Sequence, residues 1–275
     1  MPFDPEAVRE FERAGWNRAA AAYEASFATA TRQFIGPLLD AAAIQAGTAV
    51  LDLCCGPGFV GAAAEGRGAI VTGLDFSTAM LDGARARFPS IRFDHGDAEA
   101  PPYADAAFDA VVSNFGVHHV PRPELALAGV HRILRRGGRF AFSIWAGPDE
   151  NIAWKLVFDA VARHGDPSAS AAPPPGGGFS SADDCSRALH DAGFQQTSAR
   201  LVRGTWRHRD AASLLAALRA GTARMAAMLD AQTDAAMPAI VAGLEAAVVA
   251  WRAPERDGPG IAVPIACVVA TGIRP

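Results

Sequence analysis

Short apolar runs separated by helix-length mixed segments fill residues 48 to 145: TAVLDL at 48–53, AIVTGLD at 69–75, IRFDHGD at 91–97, FDAVVSN at 108–114 and GRFAFSIW at 138–145. Strand signals alternating with helix signals predict a parallel sheet with helices on both faces. Ser77 is placed to cap a helix carrying Met80 and Leu81. Leu125, Leu127, Val130, Ile133 and Leu134 make a helical apolar stripe that Gly137 and Gly138 stop.

The chain on either side reads differently. Residues 5 to 43 are helix-like, with Val8, Phe11, Tyr23, Phe27, Phe34, Ile35, Leu38 and Leu39 at three- and four-residue steps, and with Gly15 and Gly36-Pro37 as interruptions. Beyond Trp145 the pattern predicts a helix over 154–161, a Pro- and Gly-rich mobile loop at 168–179, a helix from 181 and a strand near 197–206. Two more helices follow, one carrying Leu214 to Leu229 and the other Ile240 to Trp251. The closing run IAVPIACVVATG is a strand in which Pro264 must sit near the start or at an irregularity. No repeat is evident.

Chemistry concentrates at the first strand. In VLDLCCGPGFVG, residues 50–61, Gly56, Gly58 and Gly61 satisfy a GxGxxG turn after a strand and before a helix, a spacing that suits any nucleotide-like ligand. Gly56 and Gly58 are expected where a β-carbon would obstruct close approach. Asp52, inside the strand end, is expected to aim a carboxylate into the ligand crevice, repelling a phosphate and holding an ammonium. Asp75 ends the second strand, where a carboxylate accepts from ribose hydroxyls. Asp97 and Ala98, in GDAE after the third strand, are placed for an adenine edge.

These blocks resemble the class I S-adenosylmethionine-dependent methyltransferases, and among them the quinone-ring and other small-molecule enzymes. The matching text is VLDLCCGPGF, TGLDFSTAML, GDAEAPPYADAAFDAVVSNFGVHHV and RILRRGGRFAFSIW, about residues 48 to 146. The resemblance implies an α/β, Rossmann-like, seven-stranded mostly parallel sheet with helices on both faces and a helical cap. It also implies S-adenosyl-L-methionine as cofactor. Carried over residue by residue, Asp52, Gly56 and Gly58 fall at the methionine end, Asp75 with Phe76 and Met80 at ribose and adenine, Asp97 and Ala98 at adenine, and Asn114 and Phe115 at the end of strand four. Cys54 stands where the family usually has glycine. The implied layout is an N-terminal helical lid over 1–45, a cofactor-binding core over 46–147, and remaining core strands over 148–275 with a helical substrate cap at about 207–255.

The implied reaction is methyl transfer by in-line displacement to a small, partly hydrophobic acceptor. For an oxygen or carbon nucleophile with a proton to lose, His118 and His119 are the candidate bases at the end of strand four. Trp16 and Tyr23, seven residues apart on one helical face, are placed to close over the methionine end. Trp145, Asp149, Glu150, Asn151 and Trp154 are expected near the opening. The alternatives are an S-adenosylmethionine-binding protein without methylation activity, and an NAD(P)-dependent oxidoreductase using the same glycine turn.

Composition narrows the partners. A net charge of −4 and the absence of a basic block argue against nucleic acid. SNFG at 113–116 is not the Asn-Pro-Pro-Tyr type sequence of DNA amino-methylating enzymes, and the Pro-Cys pair of base C5 methylation is missing. No apolar run is long enough to span a bilayer and the acidic N-terminus is not a signal peptide, so the expectation is a cytoplasmic protein that uses no membrane. The four cysteines lack both a disulfide framework and metal-ligand spacing, so no metal is expected; the sequence does not give the oligomeric state.

Overall fold

The computed structural model describes residues 3–170, 172, 179, 181–253 and 260–275. Helix α1 (Pro5–Tyr23) starts at Asp4, whose side chain accepts from the backbone N–H groups of Glu6 and Ala7. Gly15 does not interrupt it: a β-carbon there would lie 2.5 Å from that of Ala223, so this glycine lets the helix seat closely on a later segment. After α2 (Ala28–Thr31) and a 3-10 turn comes α3 (Ile35–Ala41). Gly36 and Pro37 occupy its first turn, where proline's missing N–H breaks no helical bond.

The core then alternates β1 (Ala49–Leu53), α4 (Phe59–Glu65), β2 (Ile70–Asp75), α5 (Thr78–Arg87), β3 (Arg92–His95), β4 (Phe108–Asn114), α6 (Pro123–Ile133) and β5 (Leu134–Trp145). Ser77 caps α5, its Oγ accepting from Met80 N–H at 3.2 Å. Helix α6 ends one residue earlier than its apolar stripe suggests, because Leu134 is already paired with Phe108 in the sheet, and Leu125 faces solvent. The third part adds α7 (Ile152–His164), α8 (Ala182–Asp191), β6 (Gln195–His208), α9 (Ala211–Gly221), α10 (Arg224–Asp230), α11 (Met237–Val248) and β7 (Ile261–Ile273). Where the sequence suggested one helix from Leu214 to Leu229, the chain breaks at Thr222, whose backbone is extended. Most of the expected loop at 168–179 lies outside the described residues.

The seven strands run in the order β3-β2-β1-β4-β5-β7-β6, with β7 antiparallel to both its neighbours and β1 to β5 mutually parallel. Pro264 lies where β7 has outrun β5 and pairs only with Thr205 of β6, so its absent donor disturbs no central ladder. Alternate side chains feed two cores. Val50, Ala110, Val112 and Ala141 pack under α3, α4 and α5, whereas Leu51, Leu53, Val111, Phe140 and Phe142 pack under α6 and α8. Strand order reverses between β1 and β4, and ligands of open α/β sheets bind beyond the carboxyl ends of the strands at such a point.

Candidate active site

A recess of about 1060 Å³, counting its mouth, opens at that reversal point. Its floor is the run of strand ends: Cys54 to Pro57 after β1, Asp75 and Phe76 at the end of β2, Gly96 to Ala98 after β3, Asn114 to Gly116 at the end of β4, and Trp145 at the end of β5. Its roof is α1 and the segment after it, through Arg9, Trp16, Tyr23, Phe27, Thr31, Arg32 and Ile35. No residue of α9, α10 or α11 lines it, so the helices expected as a substrate cap stand behind the roof.

Asp75 is the best-organised acid of the recess. Its two oxygens accept from Gly56 N–H and Ser77 N–H, both at 2.8 Å, which ties the glycine turn to the start of α5. Each oxygen keeps a lone pair for a ligand hydroxyl. Burial pushes this carboxyl up, and the N–H groups of Ser77, Gly56 and Phe76 pull it back. Gly56, at φ 51°, faces open space along the wall, so a ligand can approach its backbone.

Asp52 and Gly58 behave differently from the expectation. Asp52 is fully buried and does not line the recess: one oxygen accepts from Gly61 N–H at 2.9 Å and the other has no partner. Burial pushes its carboxyl up to about 8, so near neutrality it is chiefly a neutral acid inside the turn and not an exposed negative charge. A β-carbon on Gly58 would meet the Phe93 ring at 2.8 Å, so that glycine serves internal packing, at φ 82°, and not ligand approach.

The end of β4 separates the two histidines. His118 does not line the recess, its Nδ1 is buried without a partner, and burial, then His119 and Arg224, hold it well below the ordinary imidazole range. His119 does line the recess, with its ring 5.0 Å from that of Trp16 in an edge-to-face contact. Asn114 is held from both sides, accepting from Ser143 Oγ at 2.7 Å and donating to Thr31 C=O at 3.2 Å. Phe115, at φ 60°, stacks on Trp145 with 3.9 Å between centroids and 17° between planes.

Trp16 and Tyr23 do share a face of α1, 6.2 Å apart, and both line the recess. Tyr23 shares a hydrogen bond of 3.2 Å with Thr31 Oγ1, and burial pushes its hydroxyl up to about 12. Phe76, Met80, Asp97 and Ala98 line the recess too. Trp145, the last residue of β5, reaches the recess; of the segment after it, Asp149, Glu150, Asn151 and Trp154 do not, Glu150 being paired with Arg203 and Trp154 packed against Trp145 and Trp206.

Arg9 was not legible as a site residue. It reaches from α1 to Asp97 (Nε to Oδ2, 2.9 Å) and Glu99 (Nη2 to Oε2, 2.6 Å), and Arg122 holds Glu99 from the other side at 2.6 Å. The ion pairs clasp the roof to the loop after β3, a contact 90 residues apart in sequence that no local pattern reports. Cys54 and Cys55 line the recess as well, yet burial holds both thiols far above the ordinary range, so neither is a thiolate nucleophile. Among the described residues no cluster of ligating side chains could hold a metal, and no helix is long and apolar enough to cross a membrane.

A ligand-binding α/β core of the Rossmann-like type is what this sheet and its strand-end recess define. Residues 51–142 match a family model described as "Methyltransferase domain". The chain is similar to demethylmenaquinone methyltransferase of Renibacterium salmoninarum, 37% identical over 118 residues, covering 43% of this chain and 50% of that protein. It is also similar to malonyl-[acyl-carrier protein] O-methyltransferase of Pseudescherichia vulneris, 37% identical over 147 residues, covering 52% and 58%. The chain thus spans about half the length of the curated relatives it matches. Among solved structures, the YcgJ protein of Bacillus subtilis shares the fold with a TM-score of 0.58 at 18% identity, covering 88% of this chain and 98% of that one. Phosphoethanolamine N-methyltransferase 2 of Haemonchus contortus, solved with phosphomonomethylethanolamine and S-adenosylhomocysteine, shares it with a TM-score of 0.54 at 16% identity, covering 89% and 52%.

Proposed function

We propose that this protein binds S-adenosyl-L-methionine in the strand-end recess and transfers its methyl group to a small, partly hydrophobic acceptor. The observation that carries the reading is the Asp75 carboxylate beside the open wall of Gly56, at the reversal point of a sheet that matches a methyltransferase-domain model. When bound, the cofactor would supply an electrophilic methyl group for in-line attack by the acceptor, with S-adenosylhomocysteine as the leaving group.

The chain's own residues bind, orient and exclude water. Asp75 accepts from the ribose hydroxyls, Phe76 and Met80 flank the base, and Asp97 with Ala98 meets the adenine edge. Gly56 gives the methionine end close access to the backbone, while Asp52 holds the turn in shape through Gly61. Trp16, Tyr23, Phe27, Phe115 and Trp145 make the acceptor side aromatic, which suits a flat, apolar molecule. His119, and not His118, takes a proton from the acceptor, because it alone of the two lines the recess. Residues 1–45 act as the lid, 46–147 as the binding core, and 148–275 complete the sheet and brace the lid from behind.

The acceptor is neither nucleic acid nor lipid bilayer in this reading, and the protein works in the cytoplasm. Calorimetry with S-adenosylmethionine and S-adenosylhomocysteine, followed by turnover with reduced demethylmenaquinone as the first acceptor and a panel of phenols after it, tests the proposal. Saturable binding and formation of S-adenosylhomocysteine are expected. Absence of binding to either cofactor form would overturn it.

A further inference from the structure

Glu12 of α1 sits beside the recess fully buried, and groups from three segments converge on it. Trp16 Nε1–H donates to Oε2 at 3.1 Å, Arg224 Nε of α10 donates to Oε1 at 2.6 Å, and His119 Nδ1 lies 3.1 Å from Oε2. Burial alone would raise this carboxyl, but His119 and Arg224 outweigh it and hold the group below its ordinary value. An arginine would suffice to neutralise a buried carboxylate. The third partner adds something that charge balance does not require, because His119 is the histidine that lines the recess.

We infer that Glu12 is a positioning residue for His119, holding Nδ1 so that Nε2 is the nitrogen presented to the acceptor. The inference rests on the reading of His119 as proton acceptor. As an acceptor hydroxyl oxygen uses an electron pair to bond the methyl carbon, the carbon–sulfur bond breaks with its pair passing to sulfur, and the hydroxyl proton moves to Nε2. Glu12 then faces the imidazolium so formed, while Arg224 keeps the carboxylate's other oxygen satisfied. His118, 4.2 Å away between ring centroids, cannot substitute, since its ring lies outside the recess. The Nδ1 contact with Glu12 is close but not aligned as a hydrogen bond. Catalytic hydrogen bonds are often off-line until reactants bind and then tighten. Because Glu12 rides on α1, the pair is complete only when α1 is seated, with Gly15 against Ala223.

The test is 15N NMR of the full chain labelled at histidine, with S-adenosylhomocysteine bound and the imidazoles neutral, the His119 signal being identified by its loss in His119→Gln. The wild type is expected to show the Nδ1–H form of His119, and Glu12→Ala to shift the population toward Nε2–H while S-adenosylhomocysteine still binds. If Glu12→Ala does not fold, Glu12→Gln, equal in shape and neutral, is read in its place with the same expectation. Unchanged tautomer populations in the folded variant would overturn the inference. With a phenol acceptor from the panel that is turned over, Glu12→Gln is expected to lower kcat by roughly 10- to 100-fold with little change in KM. A wild-type rate in His119→Gln would instead remove the proton-acceptor reading, a failure separate from an unmoved tautomer.

Discussion

A β-carbon on Gly116 would stand 2.3 Å from the β-carbon of Cys54, so the turn after β4 lies directly against the turn after β1. Cys54 holds φ 57°, the left-handed region that favours glycine, and its side chain needs the space that Gly116 leaves. The two positions are therefore coupled. Gly116→Ala is expected to destabilise the protein by about 1 to 3 kcal/mol, the scale of core overpacking. In a Cys54→Gly background the same substitution should cost less, with a coupling of about 1 kcal/mol or more for residues in contact. Urea unfolding of the four variants measures it, and additive effects would show that the turns are independent.

Asp52 predicts an unusual pH dependence. Its folded carboxyl titrates near 8 against an ordinary 3.8, so the neutral form is the one folding favours. The stability it supports is complete below about pH 4 and is lost as pH rises through about 8. Asp52→Asn, neutral at every pH, should match the wild type in acid and exceed it by a few kcal/mol at about pH 9. Chemical denaturation across that range checks this; a gap that does not change with pH would mean that the carboxyl is not buried in this way.

For Asp75 two effects are expected together. Asp75→Ala should weaken S-adenosylmethionine binding by about 1 to 3 kcal/mol, the scale for charge-assisted hydrogen bonds. It should also lower the melting temperature, because the N–H groups of Gly56 and Ser77 lose their shared acceptor. Calorimetry and thermal melts separate the two, and unchanged affinity in a folded variant would dismiss the ribose assignment.

Replacement of Gly58 acts through the core. Gly58→Ala drives a β-carbon against Phe93 at a positive φ, and should cost about 1 to 3 kcal/mol of stability before any ligand is added. A variant of wild-type stability that fails to bind cofactor would return this glycine to the ligand surface.

The short apolar runs AVLDL, IVTGLD, FDAVVSN and RFAFSIW, separated by helix-length segments, were enough to place the strands, because the length of a run and the spacing to the next are local properties. The candidate site was legible for the same reason where it follows strand ends in fixed order: Gly56, Asp75, Phe76, Asp97, Ala98, Asn114 and Phe115 all reach one recess. Spacing along a strand does not say which face becomes covered. Asp52 and Gly58 carry the right residue types, yet α4 and Phe93 close over them.

What the sequence determined by itself is thus the α/β core and the order of its strand-end residues. Which groups meet was decided only by the tertiary structure. Arg9 joins Asp97, Glu12 joins Arg224 across 212 residues, and His119 is separated from His118 by the direction each side chain takes. Such pairings depend on how α1 docks across the sheet. That docking is fixed by contacts such as Gly15 on Ala223, in which each partner's local pattern carries no record of the other.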